Sequence, residues 1–203
     1  DYIEERPINS IRDPEPEWGI LKINADNVWE MGYTGQGVVV GGQDTGYDWF
    51  VSPLQTKYRG YITDSLGDHN FNWHDAIRTP SPLHADSLNP CGFDLKIPCD
   101  DNNHGTLTMG TMVGSDSLNA IGVAPDSKWI ACRNMDRGYG SPSTYLECFE
   151  WFLAPTDLNG EFPNPSLSPH VINNSWSCPE EEGCNPSNWS ILEDAVNNLR
   201  AAG

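Results

Sequence analysis

The sequence predicts an α/β fold, a parallel sheet flanked by helices. Two observations carry that expectation. Short apolar runs bounded by turn residues alternate with longer runs of helical periodicity, and the residues able to do chemistry fall where strands end and helices begin. Strands alternating with helices call for right-handed crossovers, and the crevice of such a sheet lies at the carboxyl ends of its strands.

Residues 24–31, NADNVWEM, open on Asn24 as a capping candidate and place Val28 and Met31 on one face, which predicts a short helix. GYTGQG then breaks it. The run that follows reads as a buried strand over 38–43 and delivers a lone acid, Asp44, into the turn of DTGYDW. A carboxylate at that end of a strand points into a crevice. The polar stretch 52–103, rich in Pro, Asn, Asp and His, has few periodic signals and is expected to be mostly loop, inserted into a compact core or wrapped over its surface.

From His104 the pattern changes. In HGTLTMGTMVGS, Leu107, Met109, Met112 and Val113 fall at roughly helical spacing, so a helix begins near the histidine. A second strand is expected over 128–135. SPSTYLECFEWFLAP combines Ser and Thr capping candidates, apolar Leu146, Phe149, Phe152 and Leu153, and a stop at Pro155, which predicts a helix. HVINNSW reads as a short third strand. NWSILEDAVNNLRAAG reads as an amphipathic helix with Ile191, Leu192, Ala195, Val196 and Leu199 on one side, ending at Gly203.

The 203 residues suffice for one sizeable core, and no repeat or low-complexity tract divides them. With 11 basic against 29 acidic residues the formal net charge is −18, which repels phosphate backbones and argues against a nucleic-acid partner. No apolar stretch approaches the roughly 20 residues of a membrane-spanning helix. Of six cysteines, Cys178 with Cys184 and Cys91 with Cys99 look like locally closed loops, which predicts disulfides and a secreted or periplasmic protein. Cys132 in a strand and Cys148 in a helix are either a third bridge or two buried thiols.

His69, His74, Asp75 and His84 together suggest zinc, but they lie in a loop-like stretch without the spacing of a helical ligand pair, and no metal is assigned. Trp49, Trp73 and Trp151 are expected to pack in the core. Asp44 and His104 are the pair with chemical meaning. A buried carboxylate that receives one ring proton of histidine fixes its tautomer and stabilises the imidazolium formed when the other nitrogen takes a proton.

The motifs WGILKINADNVWEMGYTGQGVVVGGQDTGYD, NNHGTLTMGT, IGVAP and VINNSW occur in one order and with workable spacing. In that order they resemble the N-terminal half of a subtilisin-like serine protease, a subtilase, over most of 18–203. The resemblance implies a three-layer architecture in which 1–17 is an extended N-terminal segment and 50–100 a long variable insertion. It also implies that Asp44 is the family's aspartate and His104 its general base. By the same resemblance, RGYGS (Gly138, Tyr139, Gly140) supplies an edge strand that pairs with substrate, and Ser175, Trp176 and Ser177 supply one wall of the first specificity pocket.

Some positions depart from the family's pattern. Leu107 stands where a second histidine is common, and Trp176 is bulkier than the usual pocket residue. Pro53 falls where many members carry a calcium-binding aspartate, so structural calcium is left to acidic loops elsewhere. The oxyanion asparagine and the nucleophile in its GTSMA-like context do not occur in these residues. The resemblance therefore implies a secreted endopeptidase acting on peptide or protein substrates, for which this chain supplies Asp and His and a second chain or downstream segment supplies Ser. A non-catalytic relative that binds a peptide or a partner chain is the alternative.

Overall fold

The computed structural model describes residues 15–203, so most of the expected N-terminal segment 1–17 lies outside the described residues. Helices α1 (Trp18–Lys22) and α2 (Ala25–Glu30) lead to strand β1 (Val39–Asp44). A short helix α3 (Ser52–Gln55), a hairpin of β2 (Tyr61–Thr63) and β3 (Leu66–Gly67), and strand β4 (Trp73–Asp75) come next. Helix α4 (His104–Val113), strand β5 (Lys128–Arg133), helix α5 (Pro142–Leu153), strand β6 (Val171–Asn173) and helix α6 (Trp189–Ala202) complete the chain.

The main sheet has four strands in the order β4-β5-β1-β6, all pairing in parallel, and β1 at its centre sets Asp44 beside Arg133 of β5. Side chains of β1 and β5 alternate between two cores, as strand geometry requires. On one face Val40, Trp129 and Ala131 pack with Met109 and Val113 of α4. On the other, Ile130 and Cys132 pack with Cys148, Trp151 and Phe152 of α5, with Val39, Ile172 and Leu199 alongside. The result is a parallel sheet flanked by helices, the α/β arrangement expected from the alternating pattern.

Local signals explain the best-defined helix. The Ser141 side chain accepts from the Thr144 backbone, Thr144 returns the bond, and Pro142 occupies the first turn, so α5 starts on a complete capping box. At α2 the expectation is corrected. Asn24 sits in the left-handed region and makes no side-chain cap bond, and the expected common face is open, with Val28 and Met31 exposed.

Most of 52–103 lies outside helices and strands, as expected, but it also contributes to the sheet and the core. That stretch is not merely a surface loop: it adds β4 to the main sheet and buries Leu54, Tyr58, Trp73, Ala76 and Ile77. The rings of Trp49, Tyr58 and Trp73 join the α4-side core, with Tyr58 and Trp129 centroids 4.6 Å apart. Burial of that aromatic surface is what holds a polar segment against the sheet. Trp151 is also buried, as expected.

Three disulfides close among the six cysteines: Cys91–Cys99, Cys132–Cys148 and Cys178–Cys184. The second joins β5 to α5 inside the core, which resolves the open alternative as a bridge.

Candidate active site

Asp44 ends β1 and His104 opens α4, and the fold brings them into contact across sixty positions of sequence. His104 Nδ1 lies 2.7 Å from Asp44 Oδ1. An ionised carboxylate only accepts, so Nδ1 carries the proton and Nε2 of the neutral ring is left as the basic nitrogen. Asp44 is fully buried, whereas the His104 side chain is 44% exposed. The pair is anchored on the protein side and open on the solvent side.

Burial pushes the Asp44 carboxyl above its ordinary value, a shift opposed by the bonds from His104 and from the Thr45 backbone N–H at 2.7 Å. Thr108 Oγ1 stands 3.4 Å from the other carboxylate oxygen, but its single proton has a nearer acceptor in the Gly105 carbonyl at 3.0 Å, so His104 and Thr45 are the main donors. These donors compensate the buried acid in part.

Two glycines permit the contact. Gly46 has φ of +116°, and a Cβ there would stand 2.0 Å from the Cys99 carbonyl oxygen. A Cβ on Gly105 would stand 2.1 Å from the Gly46 carbonyl oxygen. The glycines of DTG and HGT therefore let three backbones meet where side chains would hold them apart.

Sequence reasoning missed Asp100, which binds both motifs. Its Oδ1 accepts from Thr45 Oγ1 at 2.8 Å and from the backbone N–H groups of Asn102 and Asn103. Its Oδ2 accepts from the Thr106 backbone at 2.8 Å and from Thr106 Oγ1 at 2.6 Å. The signal was available: an acid four residues before the histidine, facing the N-terminus of a helix.

The other candidate residues divide. Gly138, Tyr139 and Gly140 do not form the expected edge strand. Arg137 and Gly138 both have positive φ, and Asp136 pairs with Tyr139 across a tight turn, so the chain doubles back before α5. Nearby, Gly140 N–H donates to Glu182 Oε1 at 3.3 Å, and Glu182 Oε2 accepts from Tyr145 Oη at 2.5 Å. Burial and the adjacent Glu182 carboxylate push the Tyr145 phenol well up, keeping it a donor. Trp176 lies flat on Tyr145, with ring centroids 4.0 Å apart and planes 7° apart. Ser175 and Ser177, on either side of it, are exposed.

The histidine group does not converge on a metal. His69 contacts Tyr58 Oη, His74 pairs with Glu147 at 2.6 Å and His84 contacts the Asp136 carbonyl. Among the described residues no group of three or more His, Cys, Asp or Glu side chains could hold an ion. At the position where the family resemblance would put a calcium ligand, Pro53 offers no carboxylate, and its carbonyl accepts from Ser115 N–H.

Comparisons with known proteins bear on the family and the fold. The sequence profile of the Subtilase family matches residues 35–203. Bacillopeptidase F of Bacillus subtilis (strain 168) is 39% identical over 190 residues, which is 92% of this chain and 12% of that protein. Neuroendocrine convertase 2 of Rattus norvegicus is 29% identical over 121 residues, 59% of this chain and 16% of the relative. Among solved structures, a protease of Pseudoalteromonas arctica PAMC 21717 superposes with a TM-score of 0.55 at 22% identity, covering 89% of this chain and 51% of that one, and so shares the fold. The chain thus spans a small part of the length of its curated relatives, and with a family match over most of its residues it belongs to the subtilase family.

Proposed function

We propose that this chain carries the aspartate and the general-base histidine of a secreted or periplasmic serine endopeptidase, whose nucleophilic serine and oxyanion donors lie on polypeptide outside residues 1–203, downstream or on a second chain. The observation that carries the proposal is the 2.7 Å contact between a fully buried Asp44 and an open-faced His104 at the carboxyl end of a central strand.

The chemistry follows from the protonation pattern. As the serine Oγ attacks the peptide carbonyl, His104 Nε2 takes its proton, and Asp44, already accepting from Nδ1, stabilises the imidazolium. The imidazolium then gives that proton to the leaving amine. Water, deprotonated by the same nitrogen, releases the acyl group and returns the serine. Substrate binds beside Ser175–Trp176–Ser177, where side-chain pockets supply preference.

Two further features support the reading. Three disulfides suit an oxidising compartment. Strand β6 is at the edge of the sheet, α6 has no buried residue, and a cavity of about 610 Å³ lined by Phe149, Phe152, Ile172, Val196 and Leu199 opens between them, which suits cover by further polypeptide.

A fluorophosphonate probe on the full-length protein tests the proposal. Labelling of the serine should fall about 10⁴-fold in Asp44→Ala and His104→Ala. Equal labelling of wild type and variants, or none in any, would favour the non-catalytic peptide-binding alternative.

A further inference from the structure

We propose that Asp100 is a positioning residue that holds Asp44 and His104 at bonding distance, and that the threonines of the DTG and HGT motifs are its two arms. The proposal rests on the endopeptidase reading for its consequence in catalysis, but not for its geometry.

Each motif has an aspartate, histidine or glycine whose purpose is visible at the site, and each also has a threonine that touches no reacting group. Both threonines lead to one carboxylate. Thr45, the residue after Asp44, donates its hydroxyl to Asp100 Oδ1 at 2.8 Å. Thr106, two residues after His104, donates its backbone N–H and its hydroxyl to Asp100 Oδ2 at 2.8 and 2.6 Å. The strand end and the helix start are thus bonded to opposite oxygens of the same rigid group.

The helix end explains why an acid is needed. The first N–H groups of a helix lack partners within it and favour a negative charge. At α4 the preceding residue, Asn103, is in the left-handed region and gives no side-chain cap. Asp100 accepts from the Thr106 N–H instead, and Thr45 Oγ1 accepts from the Gly105 N–H at 3.1 Å. The helix that carries His104 is therefore capped by Asp100 and by the residue following Asp44, not from within its own segment.

Asp100 is itself held in place. The Asn102 and Asn103 N–H groups turn the chain around its Oδ1, its backbone bridges Gly46, and the preceding Cys99 is tied to Cys91. Thr106 Oγ1 also accepts from Asp48 N–H at 2.9 Å, which adds the far side of the DTG turn to the same network. Displacement of the imidazole by about 1 Å is enough to lower a rate on the order of 10²-fold, so a clamp acting through Thr45 and Thr106 has a measurable consequence without touching substrate.

The test uses Asp100→Asn and, as a milder cut of one arm, Thr45→Val. Asparagine turns one acceptor oxygen into a donor facing N–H or hydroxyl groups, and valine removes only the strand-side hydroxyl. The readout on the full-length protein is the far-downfield proton resonance of the His104 Nδ1–H bonded to Asp44, followed with circular dichroism to verify the fold. We expect the resonance to be lost or shifted in a folded Asp100→Asn, to move in the same sense in Thr45→Val, and the double variant to do no more than Asp100→Asn alone. In the full-length protein kcat should fall on the order of 10²-fold with KM little changed.

A resonance and kcat like wild type in either folded variant overturns the clamp, as does unfolding of both, which would make the network a stability device only. The two readings separate cleanly. If wild type takes no fluorophosphonate label while the resonance still depends on Asp100, the peptidase reading fails and the clamp stands; if wild type and Asp100→Asn label equally, the reverse holds.

Discussion

Gly105 approaches Gly46 so closely that a Cβ on it would stand 2.1 Å from the Gly46 carbonyl oxygen and 3.0 Å from the Cβ of Asp44. Neither atom belongs to a flexible side-chain end, so nothing can swing aside. Gly105→Ala must push α4 off the DTG turn, lengthening the bond from His104 to Asp44. The expected result is a loss of about 1–3 kcal/mol from overpacking and a fall in probe labelling of the full-length protein. Denaturant titration beside labelling checks it, and an alanine variant with wild-type labelling would show that the approach has slack.

Asp44 should be more useful than stable. Its folded value is raised from 3.8, so the folded state binds the proton more tightly than the unfolded one. The stability penalty of the ionised form is therefore fully present above the folded value and disappears as pH falls below 3.8. Asp44→Asn is expected to raise the melting temperature at neutral pH, with a gain that shrinks on acidification, while activity is lost. Thermal melts of both proteins from pH 7 downward decide the sign.

Arg133 is fully buried on β5 and joins Asp75 at 3.2 Å and Asp101 at 2.6 Å, both also buried. Removing the cation strands two carboxylates in the interior. Arg133→Met should lower stability by about 3–5 kcal/mol. A denaturation midpoint close to wild type would mean that water reaches these acids.

Trp176 covers Tyr145 face to face, within the segment proposed to meet substrate. Trp176→Ala should open that wall, so that in the full-length protein the ratio of kcat/KM for a bulky over a small residue at the adjoining substrate position rises roughly 10-fold. Paired chromogenic peptides differing only there give the ratio directly. No change would place Trp176 outside the pocket.

The Cys132–Cys148 bridge lies wholly inside the core between β5 and α5. Replacing both cysteines by alanine is expected to cost about 2–4 kcal/mol, read from melting with and without the bridge. Peptide mapping of the unreduced protein checks all three pairings.

Much of this protein was legible along the chain. The valine run before Asp44, the periodic residues after His104 and the capping signals at Ser141 are local patterns, and β1, α4 and α5 appear within a residue or two of where those patterns place them. The Asp44 and His104 pair was legible for a related reason, because each acid or base sits inside a short turn whose glycine and threonine neighbours are readable without a partner. Strand β4 was not. Trp73, His74 and Asp75 carry no period and little apolar character, and they become a strand only because β5 offers unpaired backbone groups beside them.

The amino-acid sequence by itself determined the alternation of strands and helices, the placing of an acid and a base at adjoining element ends, and the acidic, cysteine-bearing character of the chain. Those are local or compositional properties. Tertiary structure alone decided that 137–141 turns back on itself, that Trp176 lies on Tyr145, that Cys132 meets Cys148, and that Thr45 and Thr106 share the carboxylate of Asp100. Each of these joins residues whose separation along the chain carries no information about distance in space, and that distance is set by how the two hydrophobic cores close on the sheet.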